Sequence, residues 1–350
     1  MAMPRLGARA VLMEDGTVLV VGNEPCVAAG EPTDSERAEV FDATSGTWSE
    51  VGSLNKERFH PALVPLLDGG ALVLGGSNPQ SEPYSSTKRY SPADRTLSDG
   101  PLMIRAGAID AVMLPNGSVL AVGVGRAEIL RRGASAWRRT TPPPSPFRVG
   151  RLSLLADSRV LAIGERDDEA GIAAFMTFDP DRAAWNYIEA PVAYRPEPFA
   201  LADGSILILG DDEGGGHVQR YDTKTEEWVE PAQMTTGRIR AQGTLLSDGR
   251  LLVAGGVQLI SEPVDGGYSV QEGAILDSTE IYDPAANTWS PGPSLLGPRQ
   301  GGHAITLADG SVLVFGGYVE TPVEMPEPDT GTPGVCPAPL TTTERLPAAP

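Results

Sequence analysis

Seven arginines recur at a near-fixed place in this chain: Arg5, Arg58, Arg105, Arg148, Arg195, Arg238 and Arg299. Each stands eight to eleven residues before an Asp or Asn that opens a turn, at positions 15, 68, 116, 157, 203, 248 and 309. A guanidinium keeps its charge and presents a planar fork of donors, so a ring of seven could hold an anionic ligand, carboxylate or phosphate. Equally, each could bond backbone carbonyls or an acid of a neighbouring repeat. Recurrence in every repeat favours that structural role, because a ligand site needs only a few of them.

Other chemistry-bearing residues are sparse. His60, His217 and His303 are dispersed and form neither a metal set nor a triad with Ser and Asp. Cys26 and Cys336 are too few for a disulfide scaffold and lack metal-site spacing. They fall in equivalent loops of the first and last repeats. A disulfide between them would close a loop of about 300 residues, where chain-entropy models give the largest gain; two free thiols are the alternative. No metal or cofactor is expected.

The arginines belong to a repeat. SDGRLLVAGG from Ser247 has six near-copies, starting at Glu14, Leu67, Pro115, Ala156, Ala202 and Ala308, spaced by 41 to 61 residues. After each Gly stop comes an aromatic or Leu, then Trp seven residues later: Phe41 and Trp48, Leu130 and Trp137, Phe178 and Trp185, Tyr221 and Trp228, Tyr282 and Trp289. Tyr90 is followed by Leu97 in the Trp slot. Self-similarity at this period predicts a propeller or solenoid. The apolar runs are four to six residues long and bounded by Gly, Asp, Asn and Pro, which reads as many short strands.

The unit is thus Arg, strand, Asp-Gly turn, apolar strand, Gly-Gly, loop, Tyr-Asp strand, turn, Trp strand. It resembles the kelch repeat, over roughly residues 4 to 346. That resemblance implies an all-β, single-domain, seven-bladed kelch-type β-propeller across 1–350. Its blades are expected at about 4–50, 54–99, 102–139, 145–188, 194–230, 235–291 and 296–346, with a Pro-rich mobile loop over 320–340. The last blade is expected to lack its outer Trp strand. Leu346 takes the Tyr slot, and its Trp would fall at 353, beyond Pro350. Either the chain is a fragment or an open three-stranded blade is native.

Local chemistry supports the same architecture. The second strand is apolar on both faces, as at Leu251, Leu252 and Val253, and neighbouring blades would bury both. The Asp-Gly turn is expected to supply the positive φ angles of a tight hairpin.

Function is read from charge and loops. The net charge is −19, which repels phosphate backbones and anionic membrane, and no apolar run reaches a membrane span. The N-terminus carries no signal core, so the protein is cytoplasmic, or secreted or cell-surface if a leader is missing upstream. The loops after Gly-Gly share the face of the arginines. They are longest in blades six, seven and one, where Gly-Gly to Tyr-slot separations reach 26, 29 and 19 residues. These loops are acidic (Glu31, Asp34, Glu262, Asp265, Glu324), without calcium-loop spacing. The expectation is a non-catalytic binding propeller recognising a protein or glycan, monomeric unless the open edge of blade seven pairs. The alternative is a carbohydrate-active enzyme (oxidase, lyase or epimerase) in an axial pocket lined by arginines. Copper radical oxidases of the galactose oxidase type also carry a kelch propeller, but this sequence has no His-His pair and both its Cys lie in loops.

Overall fold

A computed structural model describes residues 1, 5, 8–22, 36–78, 80–145, 147–166, 169–189, 194–211, 218–264, 267–319 and 340–348. Among them there is no helix. Antiparallel sheets follow one another along the chain, each built from consecutive hairpins. Sheet one contains Arg9–Leu12, Thr17–Val21, Arg37–Asp42 and Thr47–Ser53; sheet two, Ala62–Pro65, Ala71–Leu74, Thr87–Ser91 and Thr96–Asp99. Sheet three contains Ala108–Met113, Val119–Gly123, Arg126–Leu130 and Arg138–Arg139; sheet four, Phe147–Leu154, Val160–Arg166, Glu169–Asp179 and Ala184–Ile188. Sheet five contains Tyr194–Ala200, Ile206–Asp211, Val218–Asp222 and Glu227–Val229; sheet six, Gln242–Leu245, Leu251–Ala254, Thr279–Asp283 and Thr288–Pro291. Sheet seven has three strands among the described residues, His303–Thr306, Val312–Phe315 and Thr343–Leu346.

Each second strand lies inside its sheet, and Thr17–Val21, Ala71–Leu74, Leu251–Ala254 and Val312–Phe315 are buried at every position. The core is correspondingly divided into clusters that each join two neighbouring sheets. Leu19, Val21 and Val40 meet Ala71, Val73 and Tyr90; Leu252 and Ile281 meet Val312 and Val314. One cluster joins the ends of the series, with Val18, Val20 and Phe41 against Leu313 and Phe315. First strands of successive sheets also touch, and that of sheet seven touches that of sheet one. The sheets therefore stand around a closed ring with first strands innermost, which is a β-propeller.

The Asp-Gly turns differ from the expectation in one respect. Only the Gly takes positive φ, at Gly16 (82°), Gly204 (89°) and Gly249 (88°) for example, and Ser158 takes it (73°) where Gly is missing. Asp15, Asp203 and Asp248 do not. The Gly N–H instead closes a turn onto the residue three before it, as Gly16 does to Met13 at 3.0 Å. This is a type I turn followed by a left-handed residue, not a two-residue turn with positive φ throughout. The Asp contributes through its side chain, whose Oδ1 accepts the N–H two residues on, as from Thr17 at 3.0 Å, Ser205 at 2.9 Å and Arg250 at 3.0 Å. Asn116 does the same for Ser118 at 2.9 Å, which is why Asn serves in that slot.

Each Trp ties its sheet to the one before it. In four of the five the indole packs on the aromatic seven residues earlier, with Phe178–Trp185 centroids 4.9 Å apart and Tyr282–Trp289 5.1 Å. Its Nε1–H donates to the linker that follows the preceding outer strand: Trp137 to Pro101 O, Trp185 to Thr141 O, Trp228 to Glu189 O and Trp289 to Ala232 O, at 2.8–2.9 Å. Trp48 does this across the ring closure. It donates to Thr343 Oγ1 at 3.0 Å and meets the Phe315 ring edge-on at 5.2 Å. Replacing Trp48 by Ala is expected to lower stability by about 3 kcal/mol, and by Phe by about 1 kcal/mol, because only the indole bond is then lost. Urea unfolding followed by circular dichroism measures both; equal losses would contradict the role of the indole bond.

Candidate functional site

Four of the repeat arginines are enclosed in protein. Arg5, Arg58, Arg238 and Arg299 are at most 3% exposed. Each sends an Nη1–H to the carbonyl of a glycine seventeen residues on: Gly22 (2.8 Å), Gly75 (2.7 Å), Gly255 (3.1 Å) and Gly316 (3.1 Å). That places the arginines at the Gly-Gly end of the sheets, the face expected from strand direction. Three of them also pair with a buried glutamate on the third strand of their own sheet: Arg5 with Glu39 (3.2 Å), Arg238 with Glu280 (2.8 Å) and Arg299 with Glu344 (2.6 Å).

These glutamates share a slot two residues before the aromatic or Leu that precedes Trp, and sequence reading missed it. The signal was present: Glu39, Glu128, Glu280 and Glu344 all stand there. The carboxylates also accept backbone N–H groups, Glu280 from Thr235 (2.7 Å) and Thr236 (3.1 Å), and Glu344 from Leu296 (2.7 Å). In sheet two the slot holds Lys88, which reaches out to Asp99 at 2.8 Å. Arg58 then uses the Ser86 carbonyl (3.1 Å) and hydroxyl (2.7 Å). Burial pushes the Arg58, Arg238 and Arg299 guanidiniums below their ordinary range, and Glu280 and Glu344 oppose this for the latter two.

Arg105 departs from the pattern. It is exposed, and Glu128 accepts the backbone N–H groups of Ile104 (2.8 Å) and Arg105 (2.9 Å). The side chains of Arg148 and Arg195 lie outside the described residues, as do Cys26, Cys336, His217 and the 320–339 stretch. His60 sits two residues after Arg58 in a left-handed conformation (φ 49°), as does Arg240 after Arg238 (φ 54°).

The first strands line the axis. Arg9 donates to Pro61 O (3.3 Å), Arg151 of sheet four faces Glu197 of sheet five (3.8 Å), and Thr244 bonds Thr306 (3.1 Å). Two titratable groups here are strongly shifted, Asp110, which went unrecognised in the sequence, and His303, whose burial did. Asp110 keeps some exposed residue surface, but its carboxyl is enclosed and burial pushes it up to about 7, against backbone N–H bonds from Leu152 (2.8 Å) and Ala111 (2.9 Å). His303 is pushed down to about 4 by burial first, then by the positive Arg151 and Arg5; a backbone bond at Ala8 opposes the shift. Its Nε2 has no hydrogen-bond partner, and its ring stacks on Phe315 at 5.4 Å.

The two side faces of the ring differ. On the Gly-Gly side the long sixth loop is not irregular: Val257–Val264 and Gly267–Ile275 form a hairpin, joined by Arg238–Ile239. Arg240 braces it through Glu272 at 2.9 Å, and Ile260 on it is 42% exposed. On the Asp-Gly side a cleft of about 570 Å³ opens where sheets seven and one meet, among Asp15, Asp42, Arg95, Asp309 and Arg345. Another of about 380 Å³ lies between sheets three and four. Among the described residues no three His, Cys, Asp or Glu side chains could hold a metal ion together.

Two outcomes follow. Arg238→Met should cost about 3–5 kcal/mol because it strands Glu280, while the double change with Glu280→Leu should recover only part of that, because Leu leaves the Thr235 and Thr236 N–H groups without their acceptor; a double-mutant cycle in urea checks it. The two axial groups should act in opposite directions with pH. Asp110 binds its proton more tightly in the folded chain, so its contribution to stability falls as pH rises from 3.8 to about 7. His303 binds its proton less tightly when folded, so its contribution rises with pH from about 4 to 6.5. Asp110→Asn should therefore leave stability rising over that window, and His303→Gln should leave it falling, in melting scans across pH.

A family model for the Kelch motif matches residues 266–296, the stretch that ends in the outer strands of sheet six. The chain is 27% identical over 136 residues to human Kelch-like protein 33, covering 37% of this chain and 23% of that protein. It is 26% identical over 164 residues to Kelch-like protein 21 of Danio rerio, covering 44% and 23%. It is 26% identical over 151 residues to the F-box/kelch-repeat protein SKIP11 of Arabidopsis thaliana, covering 41% and 29%. The matches thus span less than a third of these relatives' length. Among solved structures, a fungal alcohol oxidase of the AA5 family in complex with copper shares the fold, with TM-score 0.64 and 16% identity over 91% of this chain and 71% of that one. Motif, relatives and ring of sheets agree: the chain carries a Kelch motif, is similar to Kelch-like and kelch-repeat proteins, and is built as a β-propeller.

Proposed function

We propose that this propeller is a non-catalytic binding module for a protein partner, and that the partner docks on the Gly-Gly side, over the loops of sheets six, seven and one. The observation that carries this reading is the hairpin formed by Val257–Val264 and Gly267–Ile275, which rises from a Gly-Gly stop whose counterparts in sheets one to five lead into shorter connections. It presents exposed Ile260 beside the Arg240–Glu272 pair, an apolar contact with a polar rim. Binding commonly resides on such variable loops over a rigid scaffold. Kelch-like relatives make a protein, rather than a glycan, the favoured partner. The repeat arginines enter as braces beneath this face: Arg5, Arg58, Arg238 and Arg299 spend their donors on carbonyls, glutamates and Ser86. An axial enzyme has less support, since the raised Asp110 carboxyl is tied to two backbone N–H groups of the wall.

Proximity labelling with the whole chain, beside a variant in which residues 258–274 are replaced by a short Gly-Ser turn, tests this. The expected result is a set of labelled proteins that the shortened variant loses while its melting temperature stays within a few degrees. Retention of the same set would overturn the docking face.

A further inference from the structure

Among the described side chains, every arginine but six makes a hydrogen bond or ion pair through its guanidinium, in a chain of net charge −19. The six are Arg105, Arg126, Arg131, Arg132, Arg138 and Arg139, and all belong to sheet three or its entry. Sheet three is also poorer in acids than its neighbours. The turn Asp that pairs with Arg89, Arg220 and Arg345 in sheets two, five and seven is replaced by neutral Asn116. The Asp found after the Tyr slot at 42, 179, 222 and 283 is replaced by Arg131. The acids left in this sheet, Asp110 and Glu128, are occupied by backbone N–H groups.

Four of these cations form one outer hairpin. Arg131, Arg132, Arg138 and Arg139 are exposed. The hairpin is held in place: in the strand ladder the backbone of Arg139 lies opposite Glu128 and that of Arg138 opposite Ile129, Ala134 N–H closes a turn on Arg131 O (2.9 Å), and buried Trp137 is tied to Pro101 O (2.9 Å). The cations are therefore presented on a fixed frame, which lowers the ordering cost of binding.

We propose that this hairpin docks a carboxylate-rich segment of a partner protein. Guanidinium forks match carboxylates in bidentate geometry, and Arg is more weakly hydrated than Lys, so a cluster made wholly of Arg suits contact better than solvation. A long polyanion fits less well. It would run onto the exposed Asp94 and Asp99 of sheet two and Asp157 and Asp181 near sheet four, where like charge repels it. This surface is separate from the Gly-Gly side, so either reading can fail without the other.

Fluorescence anisotropy of a labelled peptide of about ten glutamates tests the proposal. Binding should weaken as salt rises, and joint Arg→Gln changes at 131, 132, 138 and 139 should weaken it by about tenfold or more. Arg159→Gln with Arg182→Gln, which removes paired cations of sheet four, should change it little. Equal binding by the native chain and the fourfold variant would overturn the proposal. So would equal or tighter binding of duplex DNA or phosphatidylserine vesicles at matched charge, or a native dimer by ultracentrifugation that the fourfold variant loses. Circular dichroism checks folding. If the fourfold variant does not fold, Arg138→Gln and Arg139→Gln singly, each expected to weaken binding by about twofold, decide the matter in the same way.

Discussion

The structure rests on two-sided burial of the second strand in each sheet. Val18, Val20, Leu72, Leu252 and Val314 can be dry on both faces only if a neighbouring sheet stands on either side. An isolated sheet would leave both apolar faces in water, at about 25 cal/mol for each Å². The requirement propagates from sheet to sheet and is met at the ends only when sheet seven reaches sheet one. Phe41, Phe315 and Trp48 make that last junction. Closure is thus a consequence of the same burial that forms each interface.

Polar devices then fix the ring's details. The buried Arg–Glu pairs contribute little net stability, because desolvating two ions offsets most of their attraction. Their geometry is nonetheless repeated: one guanidinium joins a Gly carbonyl to a third-strand glutamate, and that glutamate collects N–H groups from the entering linker. The Trp slot works similarly from outside. Pro101 O accepts both Thr87 Oγ1 and Trp137 Nε1, whereas its counterpart Pro293 O accepts Thr279 Oγ1, with no indole added among the described residues. That difference is the local trace of the three-stranded sheet.

Departures from the repeat concentrate where the framework allows them. Lys88 in the glutamate slot is absorbed by Asp99, and Arg58 turns to Ser86. The sixth Gly-Gly loop becomes a braced hairpin. Sheet three exchanges acids for Asn116 and Arg131 without disturbing its register, because both positions point into solvent rather than between sheets. Interfaces constrain residue type tightly; rims and loops do not, and chemistry can vary there.

Much of the fold was legible because its signals are local. The Asp-Gly turn, the apolar run, the Gly-Gly stop and the seven-residue interval to Trp are set by hydrogen bonds and side-chain periods within a few residues. They specified the hairpins, their order and the three strands that the last sheet shows among the described residues. The sequence could also have revealed the Glu39, Glu280 and Glu344 slot, which is regular but was hidden by Lys88, Met176 and Gln219 in other repeats. What the arginines bond could not be read from spacing, since it depends on which carbonyl and which carboxylate a distant strand brings near. The same holds for Asp110 and His303: their charge states follow from how completely neighbouring sheets exclude water. Sequence by itself determined the strands and their succession, because those depend on near neighbours. Only the tertiary structure decided which charges are buried, paired or left free, because desolvation and pairing act between residues that the chain brings together from far apart.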